Sequence, residues 1–406
     1  MINHVPAIRS EVTFDIHVEG DGSEHLLLSC SLDLVDSPII VDTNLIGLFE
    51  IMDGTMTWDE FRTAVNLDDN EQQWLRLRAF IGQLDALGFL QTEEAERRMR
   101  DRFAEWDAAD VRPAAFAGSA YPEESQECAE FLDDVLEPAS ASVQCPEVIL
   151  GAHLDFRVSN TLYTPWRSVA GTDADIVVLI GTSHYSGDYQ VMLTRKHFAT
   201  PFGVVPTDAQ LVANLASALE SINTLGTPIL SPTDRMHRSE HSLEFHVVLL
   251  RHLLADKMPP ILPILVGPLV QDDADRGAIV DAIANVVQAS GKKVLWCISG
   301  DLAHVGHRFG DDEPAAELLE QVRVNDTAVL ALLERGEADS WRRHIERQHN
   351  RYRICGSAPV WFGLKAAEQC LGKLRGSVER HHVWDDTDTN SAVSAATVVF
   401  HNDLEK

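Results

Sequence analysis

Five short apolar runs rich in β-branched residues punctuate the chain from residue 148 onward: VIL (148–150), DIVVLIG (175–181), ILPILVG (261–267), KVLWCISGD (293–301) and SAATVVFHN (394–402). They are nearly continuous rather than alternating, so a sheet built from them must be covered on both faces. The cover lies between them. DAQLVANLASALESI (208–222), HSLEFHVVLLRHLL (241–254) and DADRGAIVDAIANVVQASG (273–291) carry helical periodicity. Strands and helices in alternation predict an α/β domain with helices flanking a central sheet. The runs are far too short to cross a bilayer.

A different pattern precedes residue 110. HLLLSCSLDLV (25–35) alternates like a strand, and PIIVDTNLIGLFEIMDG (38–54) passes from a short strand into an apolar helix. Asp42 or Thr43 can cap that helix and Gly54 can stop it. TWDEFRTAV (57–65) opens with Thr57 and Glu60 in a capping-box pattern. In NEQQWLRLRAFIGQLDALGFLQ (70–91), Trp74, Leu77, Phe80, Ile81, Leu84 and Leu87 recur at helical spacing up to Gly88, and Phe89 and Leu90 begin a short strand. Strand, helices and a closing wing predict a small winged-helix α+β domain over residues 1–106. A linker is expected over 107–116 and the α/β domain over 117–406.

Charge narrows the partners. With 63 acidic against 33 basic residues the formal net charge is −30, which argues against nucleic acid or an anionic membrane as the main partner. The first residues, MINHVPAIRSEVTFD, carry no basic segment followed by an apolar stretch, so no signal peptide is read and a cytoplasmic location is expected. Six cysteines, at 30, 128, 145, 297, 355 and 370, form no C-x-x-C pair. That excludes a Cys-only zinc site and a disulfide framework, and by default makes each a small buried hydrophobe.

The chemistry gathers where the strands stop. His153 follows the first run, His184 the second, and Asp301 with His304 a later one. Loops beyond the carboxyl ends of strands converge on the ligand crevice of an open α/β sheet, so repeated delivery of histidine to those ends outweighs the structural reading of each alone. SEHSLEFHVVLL (239–250) adds Glu240, His241, Glu244 and His246. His241 and Glu244 share a helical face, whereas His246, five residues from His241, points away. HSLEFH is one residue too long for the inverted zinc-protease motif, so that signature is rejected.

AGSAYP (117–122), GAHLDF (151–156), IGTSHY (180–185), EHSLEFH (240–246), PILVGP (263–268), SGDLAHVGHRF (299–309) and ICGSAP (354–359) follow one another as in the Memo family, protein B of the AmmeMemoRadiSam system. The resemblance spans almost all of 117–406. It departs where the family's A-P-H-A-G-Y block stands as GAHLDF and its S-H-H block as SHY. It implies a fold related to class III extradiol dioxygenases and a metal held by His153, His184 and Cys355. His304, Asp301, His241 and Glu244 match residues of the same site and are the candidate catalytic groups, His304 as acid or base and Asp301 as its orienting partner. Two imidazoles and one thiolate leave coordination positions open, which suits Fe(II), with copper or zinc as alternatives. The stretch LIGLFEIMDGTMTWDEFRTAV…LDALGFLQ in turn resembles PqqD-like modules, which recognise peptides.

Together these resemblances imply an Fe(II)-dependent oxygenase-like oxidoreductase acting on a ribosomally made precursor peptide whose leader docks on the first domain. A metal-binding scaffold serving a radical enzyme, or a metal-dependent hydrolase, are the competing readings, because a fold does not determine an activity.

Overall fold

The computed structural model describes residues 4–9, 12–18, 24–30, 39–137, 144–159, 161–185, 189–222, 229–267 and 273–403. They divide into two compact units, Met1–Ala109 and Asp110–Lys406.

In the first unit β1 (Val12–Val18), β2 (Glu24–Cys30) and β3 (Ile39–Asp42) form an antiparallel sheet in that order. Asp42 caps a 3-10 turn that leads into α1 (Ile46–Glu50). The Thr57–Glu60 capping box forms and opens α2 (Trp58–Ala64). α3 (Glu71–Ala86) buries Trp74, Ile81 and Leu84 against Leu26, Leu28, Phe49 and Phe61, and α4 (Glu93–Ala108) follows. The expected closing wing does not form. Leu90 makes a single bridge to Ile8, and the segment 4–9 takes the backbone groups a wing strand would need: Ile8 donates to the Met52 carbonyl and Arg9 to that of Phe89. No winged helix is therefore seen here among the described residues. The strand reading of 31–35 lies outside them.

In the second unit the apolar runs become strands of one eight-stranded sheet. β5 (Val148–Gly151), β6 (Ile176–Thr182), β10 (Ile261–Val266) and β11 (Val294–Ser299) run parallel in the order β5–β11–β6–β10. β7 (Val191–Leu193) adds antiparallel to β10. On the other side β14 (Ser391–Asn402) pairs antiparallel with β5 and carries β12 (His304–Gly306) and the long edge strand β13 (Leu374–Asp386). β4 (Val111–Arg112), β8 (His197–Thr200) and β9 (Gly203–Val205) make a small separate sheet. Residues 107–116, expected as a linker, thus hold the end of α4 and β4, with the Arg112 side chain wholly buried.

Helices cover both faces, as the unbroken apolar strands require. α6 (Ala209–Glu220), α8 (Asp273–Ala289) and α11 (Ser357–Leu371) share a core with Val148, Leu150, Val178, Ile180, Ile264 and Ile298. α9 (Ala315–Glu334) and α10 (Ala338–Arg347) extend that layer. α7 (His241–Leu254) lies on the opposite face, so close that a β-carbon at Gly181 would sit 2.6 Å from Leu243. α5 (Ser125–Val135) packs beside α7.

The register sets up the site. Ser299 of β11 pairs with Gly151 of β5 on one side and Gly181 of β6 on the other. The loops leaving these three neighbouring strands therefore begin from one row.

Candidate metal centre

From that row, His153 and Asp301 lie two residues on, and His184 three. The Asp301 carboxylate accepts from the His153 backbone N–H at 3.0 Å, which ties the first two loops together. Cys355 enters from the segment before α11. The Gly356 N–H donates to the Asp301 carbonyl at 3.0 Å, and the Asp301 N–H points at Cys355 Sγ from 3.3 Å. A β-carbon at residue 300 would lie 2.5 Å from Gly356 Cα, so only glycine lets the two backbones approach this closely. Cys355 Sγ is consequently 3.3 Å from His153 Nε2, and Asp301 Oδ2 is 3.6 Å from the same nitrogen.

The first turn of α7 supplies the facing side. Glu240, at the cap, accepts from the backbone N–H groups of Ser242 (3.0 Å) and His184 (2.7 Å), and from His184 Nδ1 (2.9 Å). His241 Nδ1 lies 3.4 Å from the same carboxylate. The two imidazoles stack at 4.7 Å with 17° between their planes, and Phe116 and Phe245 pack against His241.

These partners settle the tautomers. An ionised carboxylate only accepts, so the His184 proton that faces it sits on Nδ1. His153 Nδ1 is 3.0 Å from Ser299 Oγ, whose own proton goes to the Ser242 carbonyl at 2.6 Å, so Ser299 must accept from the imidazole. Nε2 of His153 and of His184 is thereby the nitrogen turned toward a cation, which at His184 has to displace the proton that Glu240 and Cys355 hold on the ring. Both rings have the outer-nitrogen support typical of metal-bound histidine. Among the described residues, donor atoms lie within 4.8 Å of one another in two groups: His153, His184 and His241; and His153, Asp301 and Cys355.

Burial and charge tune these groups. Burial, reinforced by neighbouring histidines, holds His153 well below the ordinary imidazole value, and burial lowers His241 to about 4. His184 is also desolvated, yet Glu240 and Cys355 raise it to about 11. Glu240 is held at about 2, its burial overcome by His184. Burial pushes Asp301 up to about 7 and raises the Cys355 thiol.

A cleft of about 810 Å³ opens above these donors, lined also by Phe116, Phe245, Phe309, Trp384, Arg157 and Arg308. His304 lines it too. Its Nδ1 donates to the Leu302 carbonyl at 3.1 Å, leaving Nε2 an acceptor, and burial lowers it to about 4. Glu244 does not line it. Its carboxylate accepts from Arg112, from Tyr121 Oη at 2.5 Å, and from the backbone N–H groups of Ala115 (3.0 Å) and Phe116 (2.8 Å). His246 is buried behind the site, its ring tilted against Trp166 with centroids 4.6 Å apart, in keeping with its spacing.

Among the sequence candidates, His153, His184, His241, Asp301, His304 and Cys355 thus come together, and Glu244 stands one turn behind. Glu240, named in its cluster without a role, and Ser299, not named, are the residues that face the three imidazoles. The one available signal was Glu240 at a helix cap, equally explained by the positive end of the helix dipole.

The sequence model described as Memo-like protein matches residues 112–399. A MEMO1 family protein of Aquifex aeolicus is 25% identical over 376 residues, covering 90% of this chain and 94% of that protein. One of Thermus thermophilus is 28% identical over 322 residues, covering 78% and 90%. A protein memo-1 homolog of Caenorhabditis elegans is 23% identical over 266 residues, covering 64% and 71%. The second unit alone cannot supply nine-tenths of the chain, so the likeness to the Aquifex protein runs into the first unit. Matched by the family model across most of its second unit, the chain belongs to the Memo family.

Proposed function

We propose that this chain is a non-haem metalloenzyme of oxygenase type, its cation held by His153, His184 and Cys355. The observation that carries the reading is the preset donor arrangement: two imidazoles whose Nδ1 atoms are held by Ser299 and Glu240, and a half-buried sulfur 3.3 Å from one of them, beside a cleft. The donor set fits iron, because a thiolate with two neutral imidazoles binds borderline and soft cations and leaves positions for substrate. Bound there, such a cation would supply Lewis-acid and one-electron chemistry. The chain's own residues do the rest. Neutral His304 offers Nε2 as a base at the cleft wall. Phe116, Phe245, Phe309 and Trp384 exclude water, and Arg157 and Arg308 line the cleft as members of ion pairs with Asp155 and Asp386. Asp301 and Glu240 position ligands, and Glu244 braces the segment that carries Phe116.

On the same reading a peptide substrate docks on the first unit, whose sheet offers the edges of β1 and β3 for strand addition. Phe14, Ile16 and Ile40 on those strands are exposed, as a docking surface requires.

The test is anaerobic Fe(II) reconstitution of wild type and Cys355→Ser, followed by oxygen-uptake measurements with candidate peptides. Stoichiometric iron in the wild type and weaker binding in the variant are expected, with oxygen consumed on peptide addition. Equal iron affinity in both would remove Cys355 from the ligand set. Tight iron without turnover would favour a scaffold, and turnover without oxygen a hydrolase.

A further inference from the structure

The triad of His153, His184 and Cys355 leaves one imidazole of the site without a task. His241 is built as a ligand is built. Its Nδ1 faces the same carboxylate that holds His184, at 3.4 Å, and Glu240 is buried with 2% of its surface exposed. Its ring is wedged by Phe116 and Phe245, with centroids at 5.7 and 5.5 Å. It lines the cleft. The three imidazoles form a near-equilateral set, with ring centroids 5.2 Å apart for His153 and His184, 5.1 Å for His153 and His241, and 4.7 Å for His184 and His241. Their ligand atoms lie within 4.8 Å of one another with no contribution from sulfur.

We propose that His241 is a metal ligand, so that His153, His184 and His241 hold a borderline divalent cation without Cys355. The inference rests on the reading of this cleft as a metal site and adds a second donor set to it. The two sets share His153 and His184. One is three neutral nitrogens, the set that suits zinc, cobalt or nickel with a position left open. The other, in which Cys355 stands in place of His241, contains a thiolate and selects softer ions. Which set a cation uses then depends on its softness, and loss of the thiolate redirects the site rather than emptying it.

Cobalt(II) titrations of the full chain distinguish the cases. Wild type, Cys355→Ser, His241→Gln and the double variant are titrated anaerobically, with affinity and visible ligand-field bands as readouts. Circular dichroism checks each fold, and Cys355→Ala stands in if the serine variant misfolds. Cys355→Ser is expected to keep one equivalent of cobalt. Paramagnetic NMR of that form should show three exchangeable, hyperfine-shifted imidazole N–H signals, one for each Nδ1. Adding His241→Gln to it should weaken cobalt by more than the roughly 10–100-fold that loss of an outer-shell partner costs. Equal affinity of Cys355→Ser with and without His241, or only two N–H signals, overturns the three-histidine set. Cobalt bound by wild type but lost in Cys355→Ser overturns it while leaving the two-histidine, one-cysteine reading intact. No cobalt on the wild type overturns both.

Discussion

The two sides of the cleft are made in different ways. On one side, His153, Asp301 and Cys355 are placed by backbone: one row of strand register, a close glycine pair at Gly300 and Gly356, and the Asp301 N–H aimed at sulfur. On the other, His184 and His241 depend on a single side chain, Glu240, and the helix that carries it is tied to residues 112–121 by a second, Glu244. Placement by backbone cannot be undone by one polar substitution, whereas placement by carboxylate can. The α7 side is therefore where the site is most easily broken.

The largest effect belongs to Glu244. Arg112 is wholly buried and its guanidinium also donates to the Glu240 carbonyl at 2.8 Å, so removing its carboxylate leaves a buried charge with too few acceptors. Glu244→Ala should lower the unfolding free energy by about 3–5 kcal/mol, measured by urea denaturation. A loss under 1 kcal/mol would mean that this network does not hold the α7 side.

Glu240→Gln tests the same side at the metal. Glutamine can still cap α7, but it cannot accept from two imidazoles as an ionised carboxylate does. Metal affinity should fall roughly 10–100-fold, the usual cost of an outer-shell partner, read by competition with a chromophoric chelator. Unchanged affinity would show that His184 and His241 hold their tautomers without it.

How much of this could be read from the sequence follows the same division. The parallel strands were legible because burial on both faces leaves unbroken apolar runs, and the strand-end histidines came with them. Edge strand β13 was not, since LRGSVERHHVWDD is half exposed and mixes polar with apolar residues. Cys355 had no local signal and entered only through the family pattern. Glu240 was hidden because its partner His184 lies 56 residues away and the contact exists only once α7 docks on β6. In the first unit the capping box was legible, being local. The missing wing was not, because Ile8, 82 residues from Leu90, takes its place.

Ser299→Ala probes the side chain that props the His153 ring on the backbone-built side. It removes the acceptor of His153 Nδ1 while leaving the strand register intact. A neutral acceptor matters less than a carboxylate, so metal affinity should drop about tenfold, the lower end of the outer-shell range. A loss exceeding that of Glu240→Gln would reverse the contrast between the two sides.

The smallest effect is electrostatic and needs no metal. His246, on α7 but outside the cleft, is lowered to about 4 chiefly by burial, against an ordinary value of 6.5. The unfolded chain therefore binds a proton at His246 between these values that the folded chain does not. Stability from this residue is complete above pH 6.5 and is lost as the pH falls toward 4. His246→Phe keeps an aromatic ring against Trp166 and removes the titration. Between pH 6.5 and 5.5 the metal-free wild type should lose about 1 kcal/mol more than the variant, compared through urea midpoints at each pH. Parallel losses would mean that His246 is free to take up its proton in the folded state, and that the α7 side is looser than its packing suggests.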